Sequence, residues 1–413
     1  SLDAAEAVLR GFRDDDLEAR VLLAAGDLAH STDDPARAEQ YAARARTLAL
    51  ARDDALLLAF ADTRAAEIQL ERDDAAQALT ALTASRQRAL EGGDDALLSI
   101  TTNVIGWAQA RLGDRARTEA AFEESLAAAL RSGDRGLLAA ALQTMGGLRS
   151  DFDGDWRGAL PWYLRAIEAA QAAGDRSAEA YSLDAAGEME STLGDPGALA
   201  RHHAALQIRR DLGTVRGEAQ SLLSLGSAYT RLGQPELAFA PLEQSAQMLG
   251  RLGDRTWEAY AYFRIGRAEE ARQRWPEALA WAERALAMTG SLRERIASDD
   301  GRAYYSASIR MYDELAVTAA VGAGRPDYAL VLSERARARA LVDMLALFDA
   351  GDREDPESTA LRSKVRELEQ ELRRRRARGE PERELMSLEA ELLGALGDYE
   401  ARRARVDPRS AAL

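Results

Sequence analysis

Two adjacent histidines, His202 and His203, come closest to a catalytic or metal-binding pair in this sequence. Adjacent residues on a helix point about 100° apart, so the two imidazoles are poorly placed to hold one ion. The third histidine, His30, lies near a predicted helix end with no partner in view. We therefore favour core packing. In that interpretation His203 occupies the position that related segments fill with Leu82, Phe122, Tyr163 and Leu242.

The composition removes most other catalytic chemistry. The chain has no cysteine, which excludes disulfides, thiolate ligands and a cysteine nucleophile within these residues. Lys364, the sole lysine, follows Ser363, whereas a phosphate-binding loop needs lysine after glycine. No H-E-x-x-H zinc motif is present. We expect no enzymatic activity, no metal site and no cofactor in this chain.

The charge balance argues against nucleic-acid and membrane partners. Fifty-four basic residues against 69 acidic ones give a net charge of −15, whereas nucleic-acid binding needs a basic surface. The run Arg373–Arg376 is a possible basic patch, but neighbouring glutamates favour a solvated helix face. No run reaches the ~20 apolar residues that span a bilayer, and residues 1–13 do not resemble a signal peptide. These features predict a cytoplasmic protein.

A repeat of about 40 residues dominates the sequence. One glycine series, at 93, 133, 174, 213 and 253, alternates with a second at 113, 154, 194 and 233. Between these breaks the chain is rich in Ala, Leu, Arg, Glu and Gln, which favour helix. A glycine followed by aspartate ends one helix and begins the next, because glycine accepts the left-handed conformation and aspartate caps free N–H groups. The predicted caps are Asp114, Asp134, Asp175 and Asp254.

Small residues recur at fixed positions in each helical hairpin, where they allow two helices to cross closely. The first-helix series is Gly26, Ala66, Gly106, Gly146, Gly187, Gly226 and Gly266. The second-helix series is Ala38, Ala78, Thr118, Ala159, Leu199, Ala238 and Ala278, in which Leu199 is the exception.

This pattern resembles the tetratricopeptide repeat over residues 14–289. The phrase Leu222-x-x-Leu225-Gly226-x-x-Tyr229, followed by Ala238, Leu242 and Ser245, is similar to the family signature. The resemblance implies an all-α fold, a tetratricopeptide-repeat superhelical solenoid with a C-terminal antiparallel helical hairpin. An irregular helical bundle is the structural alternative.

The two ends depart from the period. Residues 1–13 read as the second helix of an earlier unit, so that 1–289 comprises about seven hairpins and a half unit. Residues 290–348 form an atypical eighth repeat with an extended first helix. Residues 357–406 form a coiled-coil-like hairpin with leucines at heptad spacing.

The C-terminal part resembles the linker of bacterial TPR-CHAT proteins. The resemblance rests on RAYYSAS at 302–308, SERARARAL at 333–341, the charged hairpin and DPR at 407–409. In that family a caspase-like peptidase domain with catalytic His and Cys follows the linker. The resemblance therefore implies that such a domain follows Leu413 in a longer parent protein and is itself a partner of this chain.

The predicted solenoid has one candidate site, the concave wall lined by first helices. Family geometry, carried onto this sequence, places Ser227 and ten further candidate site residues there: Arg64, Glu67, Asn103, Trp107, Gln143, Tyr181, Asp184, Glu188, Arg264 and Arg267. Asn and Gln can hold an extended peptide backbone, and the two arginines can take acidic side chains or a terminal carboxylate. A polar wall needed only for solubility is the alternative.

Three functions fit these observations. The chain is a protein- or peptide-binding scaffold that recruits substrate to, or regulates, a caspase-like peptidase domain. Alternatively it is a free-standing adaptor, or the sensor arm of a bacterial signalling or transcription regulator.

Overall fold

The computed structural model describes residues 18, 21–26, 35–71, 75–293, 310–347 and 356–378, together with 385, 388, 391, 392, 394, 395 and 398. Every regular element within these residues is helical. The chain divides into two compact units, residues 1–217 and 218–413. Predicted segments 1–13, 294–309 and 399–413 lie outside the described residues.

The helices of unit 1 are α1 Pro35–Arg52, α2 Ala55–Glu71, α3 Ala75–Gly92, α4 Asp95–Arg111, α5 Arg115–Ser132, α6 Arg135–Gly147, α7 Trp156–Ala173, α8 Arg176–Thr192 and α9 Ala198–Asp211. A π-helical turn, Leu148–Phe152, extends α6. The boundary between the units falls in the first turn of α10, Val215–Arg231. Unit 2 continues with α11 Pro235–Leu252, α12 Arg255–Ala271, α13 Trp275–Arg293, α14 Arg310–Gly322, α15 Pro326–Leu347 and α16 Pro356–Ala377.

Short glycine-aspartate links separate the helices as the sequence predicts. All glycines of both series have positive φ, for example 71° at Gly133 and 73° at Gly253. The Asp114 carboxylate accepts the backbone N–H of Arg117 at 3.0 Å, and Asp175 accepts that of Ala178 at 2.9 Å. Links this short force consecutive helices to pack against each other as hairpins.

Successive hairpins stack through the second helix of one against the first helix of the next, and also through their first helices. In unit 1, α2 contacts α4, α4 contacts α6, and α6 contacts α8; in unit 2, α12 contacts α14. This stacking aligns equivalent residues of neighbouring repeats side by side. It therefore determines which side chains of the first helices can form a common surface.

Glycine is required where first and second helices cross. A Cβ built on Gly106 would lie 2.1 Å from the Phe122 ring, and one on Gly226 would lie 2.5 Å from Leu242 Cγ. Both neighbours are buried, Phe122 at 1% and Leu242 at 0% exposure. The large residue of the second helix thus fills the space that glycine leaves on the first.

The fifth hairpin corrects the predicted register by one residue. Ala198, not Leu199, is the fully buried small residue of α9. His202, not His203, is the large residue against the crossing glycine, because a Cβ on Gly187 would lie 2.9 Å from His202 Nε2. His203 is exposed. The shift arises because α9 begins only after the turn Asp195-Pro196-Gly197.

The C-terminal hairpin has its own small core. Val365 and Leu372 of α16 are buried together with Leu385, Leu392 and Ala395. Every described position between 385 and 398 is helical, so the chain returns along α16 as an antiparallel partner. The remaining positions of the predicted hairpin, up to 406, lie outside the described residues.

Candidate binding surfaces on the first helices

The ten predicted site residues lie on the first helices α2, α4, α6 and α8 of unit 1 and α12 of unit 2, and Ser227 lies on α10. Their environments differ, however. Some bridge adjacent repeats, one is buried, and others remain at the surface. Each unit therefore has its own candidate surface.

Asn103 and Gln143 bind the neighbouring repeat. The Asn103 side-chain amide donates to Thr144 Oγ1 at 2.8 Å. The Gln143 amide donates to Ser182 Oγ at 2.8 Å and to the Ala178 carbonyl at 3.1 Å. These bonds connect equivalent helices about 40 residues apart. The donors that we predicted for a peptide backbone therefore stabilise the stacking of repeats.

Arg64 and Glu67 neutralise each other on α2. Arg64 Nη1 lies 2.8 Å from Glu67 Oε2, and the guanidinium stands over the Phe60 ring at 5.1 Å. Both side chains line a pocket whose floor is formed by Leu22, Leu23, Ala38 and Ile68. A ligand in this pocket would contact the Arg64–Glu67 ion pair and the apolar lining residues.

Trp107 and Tyr181 are the exposed aromatic residues among the predicted site residues. Trp107 is 41% exposed and packs edge-on against Phe122, with ring centroids 5.4 Å apart. Tyr181 is 51% exposed, yet surrounding atoms desolvate its hydroxyl. An accessible aromatic ring can stack on a side chain of a ligand.

The surroundings of the Tyr181 hydroxyl are acidic. Desolvation raises the pKa of Tyr181, and the nearby carboxylates of Asp151 and Glu188 raise it further. Asp151 lies on the π-helical turn after α6, where desolvation raises its pKa although the Ser150 hydroxyl, which donates to it at 2.7 Å, opposes the shift. Two carboxylates beside an accessible phenol ring favour a cationic side chain.

Asp184 is placed in the interior instead of on the accessible surface. It is 8% exposed, its Oδ1 lies 2.9 Å from His202 Nδ1, and its Oδ2 lies 3.3 Å from Arg209 Nη2. Asp184 therefore belongs to a buried network within the fifth hairpin. Because it is buried, Asp184 is not available to contact a partner.

Unit 2 brings Arg264 and Arg267 together with a third arginine. Arg231 of α10 and the two arginines of α12 line a pocket of about 300 Å³. The remaining lining residues are Ser227, Thr230, Glu270 and Ala271. Three guanidinium groups face one carboxylate, giving the lining side chains a formal charge of +2. We call this site the arginine pocket.

Aromatic contacts position Arg264 in this pocket. Its guanidinium stands 4.8 Å from the Tyr260 ring centroid and 5.7 Å from that of Phe263, and it donates to the Tyr260 hydroxyl. Arg267 forms an ion pair with Glu270 one turn further along α12. Both guanidinium groups are therefore oriented before any ligand arrives, which lowers the side-chain entropy lost on binding.

Sequence reasoning missed Arg231 and Asp151. Arg231 lies four residues after Ser227, one helical turn along the same face, and this spacing was a usable signal. Asp151 carried no such signal, because the π-helical turn that brings it beside Tyr181 interrupts the helical period.

The described residues contain no group of three His, Cys, Asp or Glu side chains arranged to hold a metal. Within the same part of the chain, no helix combines the length and apolar character needed to cross a bilayer.

No protein-family model matches this sequence, and no curated protein matches it either. Solved structures, in contrast, do match this chain. A Signal Transduction ATPase with Numerous Domains (STAND) protein with a tetratricopeptide repeat sensor, from Pyrococcus horikoshii, is 15% identical with a TM-score of 0.52. The match covers 78% of this chain but 52% of that protein, about half its length.

Aspartyl phosphate phosphatase F from Bacillus subtilis is 12% identical, with a TM-score of 0.52 and coverage of 66% of this chain and 70% of that one. The fold is a tetratricopeptide-repeat solenoid. At 12–15% sequence identity the similarity shows the fold alone. The ligand of this chain is therefore inferred from its own side chains.

Proposed function

We propose that this chain is a protein-binding helical-repeat scaffold that holds extended segments of a partner against its first helices. The observation that carries the proposal is the arginine pocket. Two successive first helices, α10 and α12, contribute its three guanidinium groups to one recess. In a chain of net charge −15, such a local reversal of sign favours an acidic segment.

The first-helix surface of unit 1 complements a different chemistry. Trp107 and Tyr181 offer aromatic faces, while Asp151 and Glu188 supply negative charge near Tyr181. This surface suits basic or apolar side chains of a peptide. Each unit thus has a surface of its own, with opposite charge preference.

A binding experiment tests the proposal. Arrays of short acidic, basic and neutral peptides are probed with the protein and with an Arg264→Ala/Arg267→Ala variant. The proposal expects acidic peptides to bind the wild type and to lose binding in the variant. The control is Arg251→Ala, which removes one positive charge from the last turn of α11, a second helix. Equal binding by the wild type and the pocket variant would place the surface elsewhere.

We further propose that the scaffold serves a caspase-like peptidase domain in a longer parent protein. The support is the resemblance of RAYYSAS at 302–308 and SERARARAL at 333–341 to the TPR-CHAT linker, the second of which lies on α15. The scaffold then brings a protein substrate to the peptidase or holds it inactive, while this chain performs no catalysis. Proteolysis of candidate proteins by the parent protein, but not by residues 1–413 alone, is the expected result.

A sensor arm is the second candidate. It is favoured by the fold shared with the STAND protein, which contains a tetratricopeptide repeat sensor. In the sensor-arm candidate the effector domain of the parent protein is an ATPase or a transcription regulator. In the first candidate it is a peptidase. The binding experiment above applies to both.

A further inference from the structure

The helix crossing of the first hairpin has a small residue where four other hairpins have a large one. In the third to sixth hairpins, a large residue of the second helix lies against the crossing glycine of the first helix. These residues are Phe122, Tyr163, His202 and Leu242. In the first hairpin the equivalent residue is Ala42 of α1, forty positions before Leu82 of the second hairpin. The methyl group of Ala42 is too small to fill the same space.

The crossing at Gly26 is open as a result. Among the described residues, a Cβ on Gly26 would meet Tyr41 Cβ at 3.7 Å and the Ala38 carbonyl oxygen at 3.8 Å, both ordinary van der Waals distances. A Cβ on Gly106 or Gly146 would instead overlap a ring of the second helix, at 2.1 and 2.8 Å. Space equivalent to those rings is therefore left beside Gly26.

This space belongs to the pocket described above at the ion pair of α2. Its volume is about 140 Å³, and both Gly26 and Ala42 line it, so we call it the Ala42 pocket. Leu22, Leu23 and Ile68 also line it, and none of these three is more than 8% exposed. An apolar cavity of about 150 Å³ stays free of water and can bind benzene. The Ala42 pocket therefore favours an apolar group no larger than about one aromatic ring.

The seventh hairpin shows how such a space is filled from outside the hairpin. It also has an alanine at the equivalent position, Ala282, which is fully buried. A Cβ on its crossing glycine, Gly266, would lie 2.8 Å from Cδ2 of Leu315, which belongs to α14 of the next hairpin. An alanine at this position is therefore compatible with a leucine that another segment supplies.

The accessible side of the Ala42 pocket suits a peptide main chain. Arg64 and Glu67 line it there, with side chains that are 23% and 28% exposed. The Glu67 carboxylate accepts from Arg64 Nη1 at 2.8 and 3.1 Å. A carboxylate has about four lone-pair sites, so Glu67 can also accept a peptide N–H. A peptide uses this acceptor, whereas a small apolar molecule does not.

We propose that the Ala42 pocket binds a leucine or phenylalanine side chain of a partner peptide. This inference rests on the proposed scaffold function and specifies one side chain of its ligand. The partner side chain takes the place that Leu82, Phe122 or Leu242 occupies within its own hairpin. Removal of its apolar surface from water provides the binding free energy. The Arg64–Glu67 pair has no net charge and so does not select a charged residue.

The test uses libraries of nonapeptides with blocked ends. The central residue is fixed as phenylalanine, leucine, alanine or lysine, and the other positions are random. Fluorescence anisotropy with the full chain gives the affinity of each library. We expect the phenylalanine and leucine libraries to bind at least about tenfold more tightly than the alanine library, because their additional carbon atoms leave water on binding.

Variants that fill the pocket from within connect this binding to the site. Ala42→Leu introduces the residue that the second and sixth hairpins have at this position. It should abolish the preference for phenylalanine and leucine and raise the melting temperature, as cavity-filling substitutions do. Ala42→Val fills less of the space and should reduce the preference, which keeps the test valid if leucine disturbs the fold. Ala43→Leu adds the same side chain on the exposed face of α1 and is the matched control, which should bind as the wild type does.

The outcomes separate this inference from the proposed function. Equal affinity for the four libraries would overturn the pocket assignment and leave the scaffold intact, as would a preference that Ala42→Leu and Ala42→Val do not alter. A lower melting temperature for both variants would overturn it by showing that another part of the chain already fills the pocket. Self-association that Ala42→Leu abolishes would overturn it in favour of a second copy of this chain. Failure of every library and of the acidic peptides to bind would overturn both proposals.

Discussion

The imidazole of His202 lies 2.9 Å from the carboxylate of Asp184, in the interior of the fifth hairpin. His202 is 1% exposed, and Arg209 approaches the other oxygen of Asp184 at 3.3 Å while donating to the Gly217 carbonyl at 2.7 Å. The corresponding positions of neighbouring repeats hold Phe122, Tyr163 or Leu242. One hairpin thus replaces a hydrocarbon contact with a buried polar network.

The first prediction concerns His202→Leu. Leucine fits this position, as Leu242 does against Gly226, but it leaves Asp184 buried without its closest partner. We expect the free energy of unfolding to fall by about 1–3 kcal/mol, because Asp184 Oδ1 loses a buried hydrogen bond that leucine cannot replace. Chemical denaturation followed by circular dichroism measures it.

The double variant Asp184→Ala/His202→Leu is the control. It removes both members of the His202–Asp184 hydrogen bond, a change that is often nearly neutral, while Arg209 keeps its hydrogen bond to the Gly217 carbonyl. We expect it to be more stable than His202→Leu alone. Strictly additive losses would show that the two side chains are not coupled.

The repeat architecture is predictable because it depends on local rules. Glycine at positive φ and aspartate at the helix start are properties of a few adjacent residues, and both series were found where expected. The one-residue shift of register in the second helix of the fifth hairpin, α9, could not be predicted from such local rules. The turn Asp195-Pro196-Gly197 delays α9, and a shift of one residue exchanges His202 with His203.

The site was harder to predict than the fold. The sequence indicated which residues lie on first helices, but not which of them contact the next repeat. Asn103 and Asp184 look equally polar in the sequence, yet one bridges two repeats and the other is buried with a residue 18 positions away. Such pairings depend on tertiary packing, which no periodicity encodes.

The second prediction concerns the crossing glycine of the sixth hairpin. A Cβ at Gly226 would lie 2.5 Å from Leu242 Cγ and 3.1 Å from the Ala238 carbonyl oxygen, which cannot both move freely. We expect Gly226→Leu to destabilise the protein by about 1–3 kcal/mol through overpacking. Gly226→Ala should produce a smaller loss. Thermal unfolding monitors both.

Gly290 is the matched control for this substitution. It also lies within a helix, α13, and a Cβ there meets no atom within 4 Å. Gly290→Ala should therefore raise stability by up to about 1 kcal/mol, through helix propensity alone. A loss at Gly290 equal to that at Gly226 would contradict the packing explanation.

The third prediction distinguishes repeat stacking from ligand binding at Asn103. Asn103→Ala removes the 2.8 Å hydrogen bond to Thr144 Oγ1, so we expect a stability loss of about 0.5–1.5 kcal/mol. Thr144→Val removes the same bond from the other side. The double variant should lose less than the sum of the two single variants. A purely ligand-binding role would instead leave the melting temperature of Asn103→Ala unchanged.

The last prediction concerns alkaline pH. Tyr163 is 4% exposed in the core of unit 1, and burial raises the pKa of its hydroxyl, with the neighbouring Tyr181 hydroxyl and the carboxylates of Asp151 and Glu188 adding to the shift. The unfolded chain releases this proton near pH 10, whereas the folded chain retains it to higher pH. The unfolded state therefore binds fewer protons above about pH 10, and stability falls as pH rises through that range.

For a single such group the slope is about 1.4 kcal/mol per pH unit. Tyr163→Phe removes the ionising hydroxyl and should give a flatter decline between pH 9 and 11 than the wild type, even though it also loses a bond to Ser150 at every pH. Urea denaturation at several pH values measures both slopes. Because Tyr181 and Tyr262 also have raised pKa values, the wild type and variant are compared by the difference of their slopes. Parallel curves would mean that Tyr163 ionises equally easily in both states, contrary to its burial against Gly146 at the helix crossing.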